Sequence, residues 1–163
     1  MTPKQHQVIS TEYEGNKVVI AKEDTTWNSE SYYEAKNNTL TRILDDRGNV
    51  VSEEDFWDTG GYLFAKKEME YDENNRLIKQ LDVYYNSDGS EMWRYRDTRS
   101  YDGEYADYQL LEICEGGKDD WRLYAETGSK IIEGNPKVII CYENLKGEGE
   151  PMVETKRTSY YYS

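Results

Sequence analysis

Nucleophilic catalysis at neutral pH needs a nucleophile held against a base. The chain has one imidazole, His6, in the N-terminal segment, so neither a Ser-His nor a Cys-His pair can be assembled around a well-ordered base. A structural zinc site asks for about four Cys or His ligands. His6, Cys114 and Cys141 fall short of that number and follow no ligand spacing. Gly60-Gly61 and Gly116-Gly117 open neither of the glycine-rich patterns that cradle phosphate. Paired carboxylates can hydrolyse glycosides, but among 33 Asp and Glu any pairing can be drawn. Asn86, Asp88 and Ser90 alternate around Gly89 as in a calcium loop, without the terminal Glu of an EF-hand. The expectation is a protein that is not an enzyme and carries no metal or cofactor.

The aromatic residues remain. With 16 Tyr and 4 Trp against 2 Phe, rings must supply much of the core. Tyr84, Trp93, Tyr95, Trp57 and Trp121 are the candidate partner-binding residues, because Trp and Tyr dominate interface hot spots. Neighbours in a strand face opposite sides. Tyr32-Tyr33, Tyr84-Tyr85 and Tyr160-Tyr161-Tyr162 must therefore each send a ring to both faces. Either both faces are covered or one exposes tyrosine.

The elements that position these rings are strands. A turn signature recurs as Leu44-Asp45-Asp46-Arg47-Gly48, Tyr71-Asp72-Glu73-Asn74-Asn75 and Tyr85-Asn86-Ser87-Asp88-Gly89. Asp or Asn at the second position can bond its own backbone, and Gly or Asn at the fifth tolerates positive φ. Between the turns run strand-like segments such as Tyr62–Tyr71, Leu77–Tyr85 and Met92–Arg96, the last placing Trp93 and Tyr95 on one face. Gly15-Asn16 and Asp102-Gly103 predict further hairpins, and Asn37-Asn38 a further turn. Strands are also expected at Tyr108–Glu115, Trp121–Glu126, Lys137–Glu143 and Met152–Tyr162, separated by Gly116–Asp120 and Gly147–Pro151. One short helix is predicted over Ser52–Trp57, from a capping Ser followed by acids. The fold expected is all-β, one domain over 1–163, an antiparallel meander of about nine to eleven strands curling into a barrel or a sandwich.

Tyr71-Asp72-Glu73-Asn74-Asn75-Arg76-Leu77 resembles the YD repeat of bacterial Rhs-type toxin-shell proteins, with Asn75 where that motif has Gly. The resemblance extends over about residues 44–105. It implies a twisted β-meander and assigns no catalytic residue.

A net charge of −13 speaks against nucleic acid, whose binding needs clustered Lys and Arg. The same charge suits a basic protein partner, whose approach an acidic field accelerates. No apolar run approaches the roughly 18 residues of a membrane helix, and the N-terminus has no secretory h-region. Cytoplasmic residence with reduced, buried thiols is the expectation, a Cys114–Cys141 disulfide requiring neighbouring strands. These features point first to an acidic interaction protein, an immunity or phage-type inhibitor protein that occludes a basic toxin or nuclease-like partner. The alternatives are a glycan-binding surface β-domain and a small β-barrel holding an apolar or aromatic ligand.

Overall fold

Asp45, Asp72 and Asn86 each begin a turn with the same backbone bonds. The N–H of each donates to the carbonyl four residues on (Asn49, Arg76 and Ser90; 2.9, 3.0 and 2.8 Å). Its own carbonyl accepts from Gly48, Asn75 and Gly89 at 3.0, 3.2 and 3.0 Å. The fifth residues have φ of +85° (Gly48), +62° (Asn75) and +83° (Gly89). Asn75 is the one non-glycine residue with positive φ among the described residues, as its place in the signature requires. Asp45 Oδ1 accepts from the N–H groups of Arg47 and Asn49 (2.9 and 2.8 Å). Asp72 Oδ1 does the same for Asn74 and Arg76 (both 2.9 Å). Backbone geometry therefore accounts for the second and fifth positions of the signature.

These turns join strands in a computed structural model that describes residues 4–27, 33–58, 60–103, 105–133, 137–144 and 151–161. Within them, side chains are described for 7–22, 37–58, 60–103, 106–130, 132–133, 137–144 and 151–161. The side chains of His6, Tyr33 and Tyr162 lie outside, as do Tyr32 and Gly147–Glu150 of the predicted segments. Eleven strands follow one another: β1 (Lys4–Glu14), β2 (Lys17–Trp27), β3 (Tyr33–Leu44), β4 (Val50–Trp57), β5 (Tyr62–Tyr71) and β6 (Leu77–Tyr85), then β7 (Glu91–Asp102), β8 (Tyr105–Glu115), β9 (Arg122–Ile132), β10 (Lys137–Asn144) and β11 (Val153–Tyr160). They lie in one sheet in sequence order, β1 through β11. Every pair of known register is antiparallel. The first and last strands are not neighbours, so the sheet is a meander that does not close into a barrel.

Two expectations fail. Ser52–Trp57 belongs to β4 rather than to a helix, because Glu53 sits in register between Arg42 of β3 and Lys67 of β5. Cross-strand charge pairing there overrides the local capping pattern. Asn37-Asn38 does not turn the chain but lies inside β3, opposite Glu23 and Lys22 of β2.

By contact, the chain divides into two compact units. One comprises Met1–Met69 and Asp82–Trp93, and the other Glu70–Leu81 and Arg94–Ser163. Among the described side chains, the buried apolar residues in the first are Val18, Leu40, Ala65 and Val83, and in the second Cys114 and Ile140. None is aromatic, which corrects the expectation of an aromatic core. Small side chains close to the backbone are covered by cross-strand neighbours, whereas a ring extends past them. Tyr84 and Tyr85 are both half-buried although they face opposite sides. Cys114 and Cys141 are free thiols, the first buried and the second half-buried. Strand β9 lies between their strands, so no disulfide links them.

Candidate functional site

In the first unit, residues 53, 55 and 57 of β4 share one face by alternation. Glu53 accepts from Arg42 Nε at 2.7 Å on one side and pairs with Lys67 Nζ at 3.0 Å on the other. Its side chain is only 12% exposed. Burial pulls its pKa upward, but hydrogen bonds from Arg42 and Lys67 outweigh that pull and leave the carboxyl below the ordinary glutamate range. Lys67 is the mirror case: burial lowers its pKa, and Glu53, with Asp82 adding to the field, raises it above the ordinary value. Asp55 Oδ1 accepts from Asn38 Nδ2 at 3.1 Å.

A β-bulge shapes this face further. Asp55 pairs with Ala65 and Phe56 with Leu63, so Phe64 is the extra residue of β5. Bulges re-aim side chains. Here Phe64 meets Tyr84 of β6 edge to face, with ring centroids 5.8 Å apart. The result is a shallow hollow lined by Glu53, Asp55, Phe64, Ala65, Lys67 and Tyr84. It holds two carboxylates, an aromatic pair and one internal ammonium. Such a lining suits a further cation, because carboxylates and ring faces both attract one. At the hairpin end of the same β4 face, Trp57 packs edge to face on Tyr62 at 5.5 Å. Both rings press on Gly60, where an added Cβ would come 2.7 Å from Tyr62 and 3.1 Å from Trp57.

The second unit uses similar parts differently. Glu112 of β8 accepts from Arg96 Nε of β7 at 2.7 Å. That hydrogen bond, against a smaller opposing effect of burial, raises the Arg96 pKa. The Arg96 guanidinium also lies 4.4 Å from the Trp121 ring centroid, and Arg94 lies 5.3 Å from it. Trp121 Nε1 donates to Asp119 Oδ1 at 3.1 Å. Below Arg94, the Cys114 thiol is enclosed by Arg94 Nη2, Asp120 Oδ1 and the Lys118 carbonyl (3.6, 3.5 and 3.3 Å). Tyr95 stands between the two arginines in sequence and so faces the opposite side. There a second bulge, between Leu111–Ala125 and Glu112–Leu123, makes Tyr124 the extra residue of β9. Tyr124 meets Tyr95 edge to face at 6.0 Å while remaining 55% exposed. Asp97 is buried on the Tyr95 face, bound by Arg99 Nη2 (2.6 Å) and Gln109 Nε2 (2.9 Å).

The five aromatic candidates are divided between the two units. Tyr84 lines the hollow of the first unit, and Trp57 lies farther along the same β4 face. Trp93 is half-buried on β7 and is not among the lining residues. Tyr95 and Trp121 belong to the second unit and face opposite sides. Sequence reasoning missed Glu53, Asp55, Phe64 and Lys67. The four consecutive apolar residues Tyr62-Leu63-Phe64-Ala65, which break alternation, are the signal that marks the bulge. Among the described residues, no grouping of His, Cys, Asp and Glu could hold a metal ion. No helix of the described residues is long and apolar enough to cross a membrane. No protein-family model matches the chain, and no curated protein matches it.

Proposed function

We propose that the chain is a non-enzymatic interaction protein that occludes a basic partner, in the manner of an immunity or phage-type inhibitor protein acting in the cytoplasm. The observation that carries this reading is the hollow of Glu53, Asp55, Phe64 and Tyr84 on the first unit. A Lys or Arg of a partner entering it meets carboxylates and ring faces together. Charge distribution supports the same unit. The first unit carries 16 acidic against 8 basic side chains, a net −8, and the second 17 against 12, a net −5. Tyr13 of the same unit, 75% exposed, adds amphipathic contact area of the kind interfaces use.

The glycan-binding alternative draws less support, since Trp57, Trp93 and Trp121 are all half-buried and Trp121 is already occupied by Arg94 and Arg96. A ligand held inside a closed barrel loses its premise with the open strand order. The test is affinity capture from native lysate at low and at high salt, with a Tyr84→Ala control. A basic protein retained at low salt, released at high salt and lost with Tyr84→Ala is the expected result. Failure to retain any protein under either condition would overturn the proposal.

A further inference from the structure

The two ends of the strand order differ in how they meet solvent. Strand β11 is eight residues long and carries Glu154, Lys156 and Arg157. Its partner ladder is interrupted by a register shift at Cys141/Tyr142. Charge, shortness and a bulge are the devices that blunt a sheet edge. Strand β1 has none of the geometric ones. It spans eleven residues and pairs with β2 in an unbroken register from Lys4–Trp27 to Glu14–Lys17. Each residue from Gln7 to Glu14 is exposed, including Val8 (46%), Ile9 (54%) and Tyr13 (75%).

The hairpin fixes which backbone groups of β1 are unused. Glu14 and Lys17 flank the two-residue Gly15-Asn16 turn and form its closing pair. In such a hairpin the closing pair exchanges both hydrogen bonds, and every second pair after it does so too. The even residues of β1 therefore bond to β2, and the N–H and C=O groups of Gln7, Ile9, Thr11 and Tyr13 point away from it. Among the described residues no other strand neighbours β1.

We propose that this edge is a self-association surface, on which β1 of a second copy pairs antiparallel about a two-fold axis at Ile9. That register sets Ile9 opposite Ile9 of the other copy, Gln7 opposite Thr11 and Val8 opposite Ser10. All the outward-pointing groups then meet in hydrogen-bonded pairs. The same register brings Glu12 and Glu14 opposite positions 6 and 4, which the sequence fills with His and Lys. A strand with its basic residues at one end and its acidic residues at the other is self-complementary when antiparallel. A two-fold pairing is also closed, so it yields a dimer rather than a filament. Pairing β1 with β11 of another copy would instead run open-ended and would place two unlike edges together.

The test is the oligomeric state of the full chain by light scattering and sedimentation over a range of concentration. Wild type forms a concentration-dependent dimer. Ile9→Pro removes an N–H that β2 does not use, so it keeps the wild-type far-UV circular dichroism and raises the dimer dissociation constant by at least about tenfold. In a Cys141→Ser background, Ile9→Cys cross-links readily to its own copy, because opposed Cα atoms of a hydrogen-bonded pair lie about 5.5 Å apart. Tyr13→Cys, four positions from the axis, does not. A wild type monomeric at every concentration, or Ile9→Cys cross-linking no faster than Tyr13→Cys, would overturn the proposal.

Discussion

The β3–β4–β5 face of the first unit and the β7–β8 face of the second are built on one plan with opposite outcomes. Each centres on a glutamate that accepts from an arginine across the strand at 2.7 Å, Glu53 from Arg42 and Glu112 from Arg96. Each unit also uses a β-bulge to send an aromatic residue onto a neighbouring ring. In the second unit the cations double back over Trp121, so the ring and the guanidinium satisfy each other internally. In the first, Lys67 is tied to Glu53, and the Phe64–Tyr84 ring pair lies beside the carboxylates of Glu53 and Asp55. An aromatic capped by its own arginines is a structural element. A ring pair lined by carboxylates is where the proposed function puts a partner's cation.

The difference predicts unequal costs of deletion. Glu53→Ala strands two cations on a part-buried face and should destabilise the protein by about 2–3 kcal/mol, below the full cost of breaking a buried pair because Arg42 and Lys67 keep some solvent. Glu112→Ala leaves Arg96 its contact with Trp121 and should cost about 1 kcal/mol. Urea denaturation of both variants measures the gap, and equal losses would remove the distinction. The next effect is at Gly60, where Ala collides with the Trp57–Tyr62 pair. A loss of about 1–2 kcal/mol is expected in the same assay, with a shifted tryptophan emission.

The two units should also differ in pH response. A carboxyl whose pKa is lower in the folded state adds stability above its unfolded value, and that stability is lost as pH falls through the folded value. For Glu53 this places the loss below its ordinary value of 4.5, and Glu53→Gln should flatten that acid limb. Tyr108 of β8 behaves in the reverse sense. Its hydroxyl donates to Glu126 at 2.7 Å, which with some burial pushes its pKa up to about 12. The unfolded chain ionises first, so this contribution is present below 10 and is lost as pH rises towards about 12. Tyr108→Phe should flatten the alkaline limb and leave the acid limb unchanged.

How much of this the sequence discloses depends on the range of the interaction. The Asp/Asn-x-x-Gly/Asn turns are local, so Asn75 at positive φ and the hairpins at Gly48 and Gly89 can be read directly. Strand phase follows from them, which is why Arg94 and Arg96 share the Trp121 ring while Tyr95 between them meets Tyr124. The local sequence puts Glu53 in the first turn of a helix because its partners, Arg42 and Lys67, come from two other strands. The bulges at Phe64 and Tyr124 depend on register between strands, and a one-residue offset leaves little trace in composition. The aromatic residues could be counted from the sequence, but not assigned to an occupied or a receptive face.

The most direct test of that assignment is a nuclear magnetic resonance titration with an arginine-rich peptide, followed residue by residue at low salt. Saturable shifts are expected at Glu53, Asp55, Phe64 and Tyr84, weakened about tenfold or more by Tyr84→Ala and little changed by Trp121→Phe. Shifts centred instead on Arg94, Arg96 and Trp121, or spread evenly over both units without saturation, would contradict it.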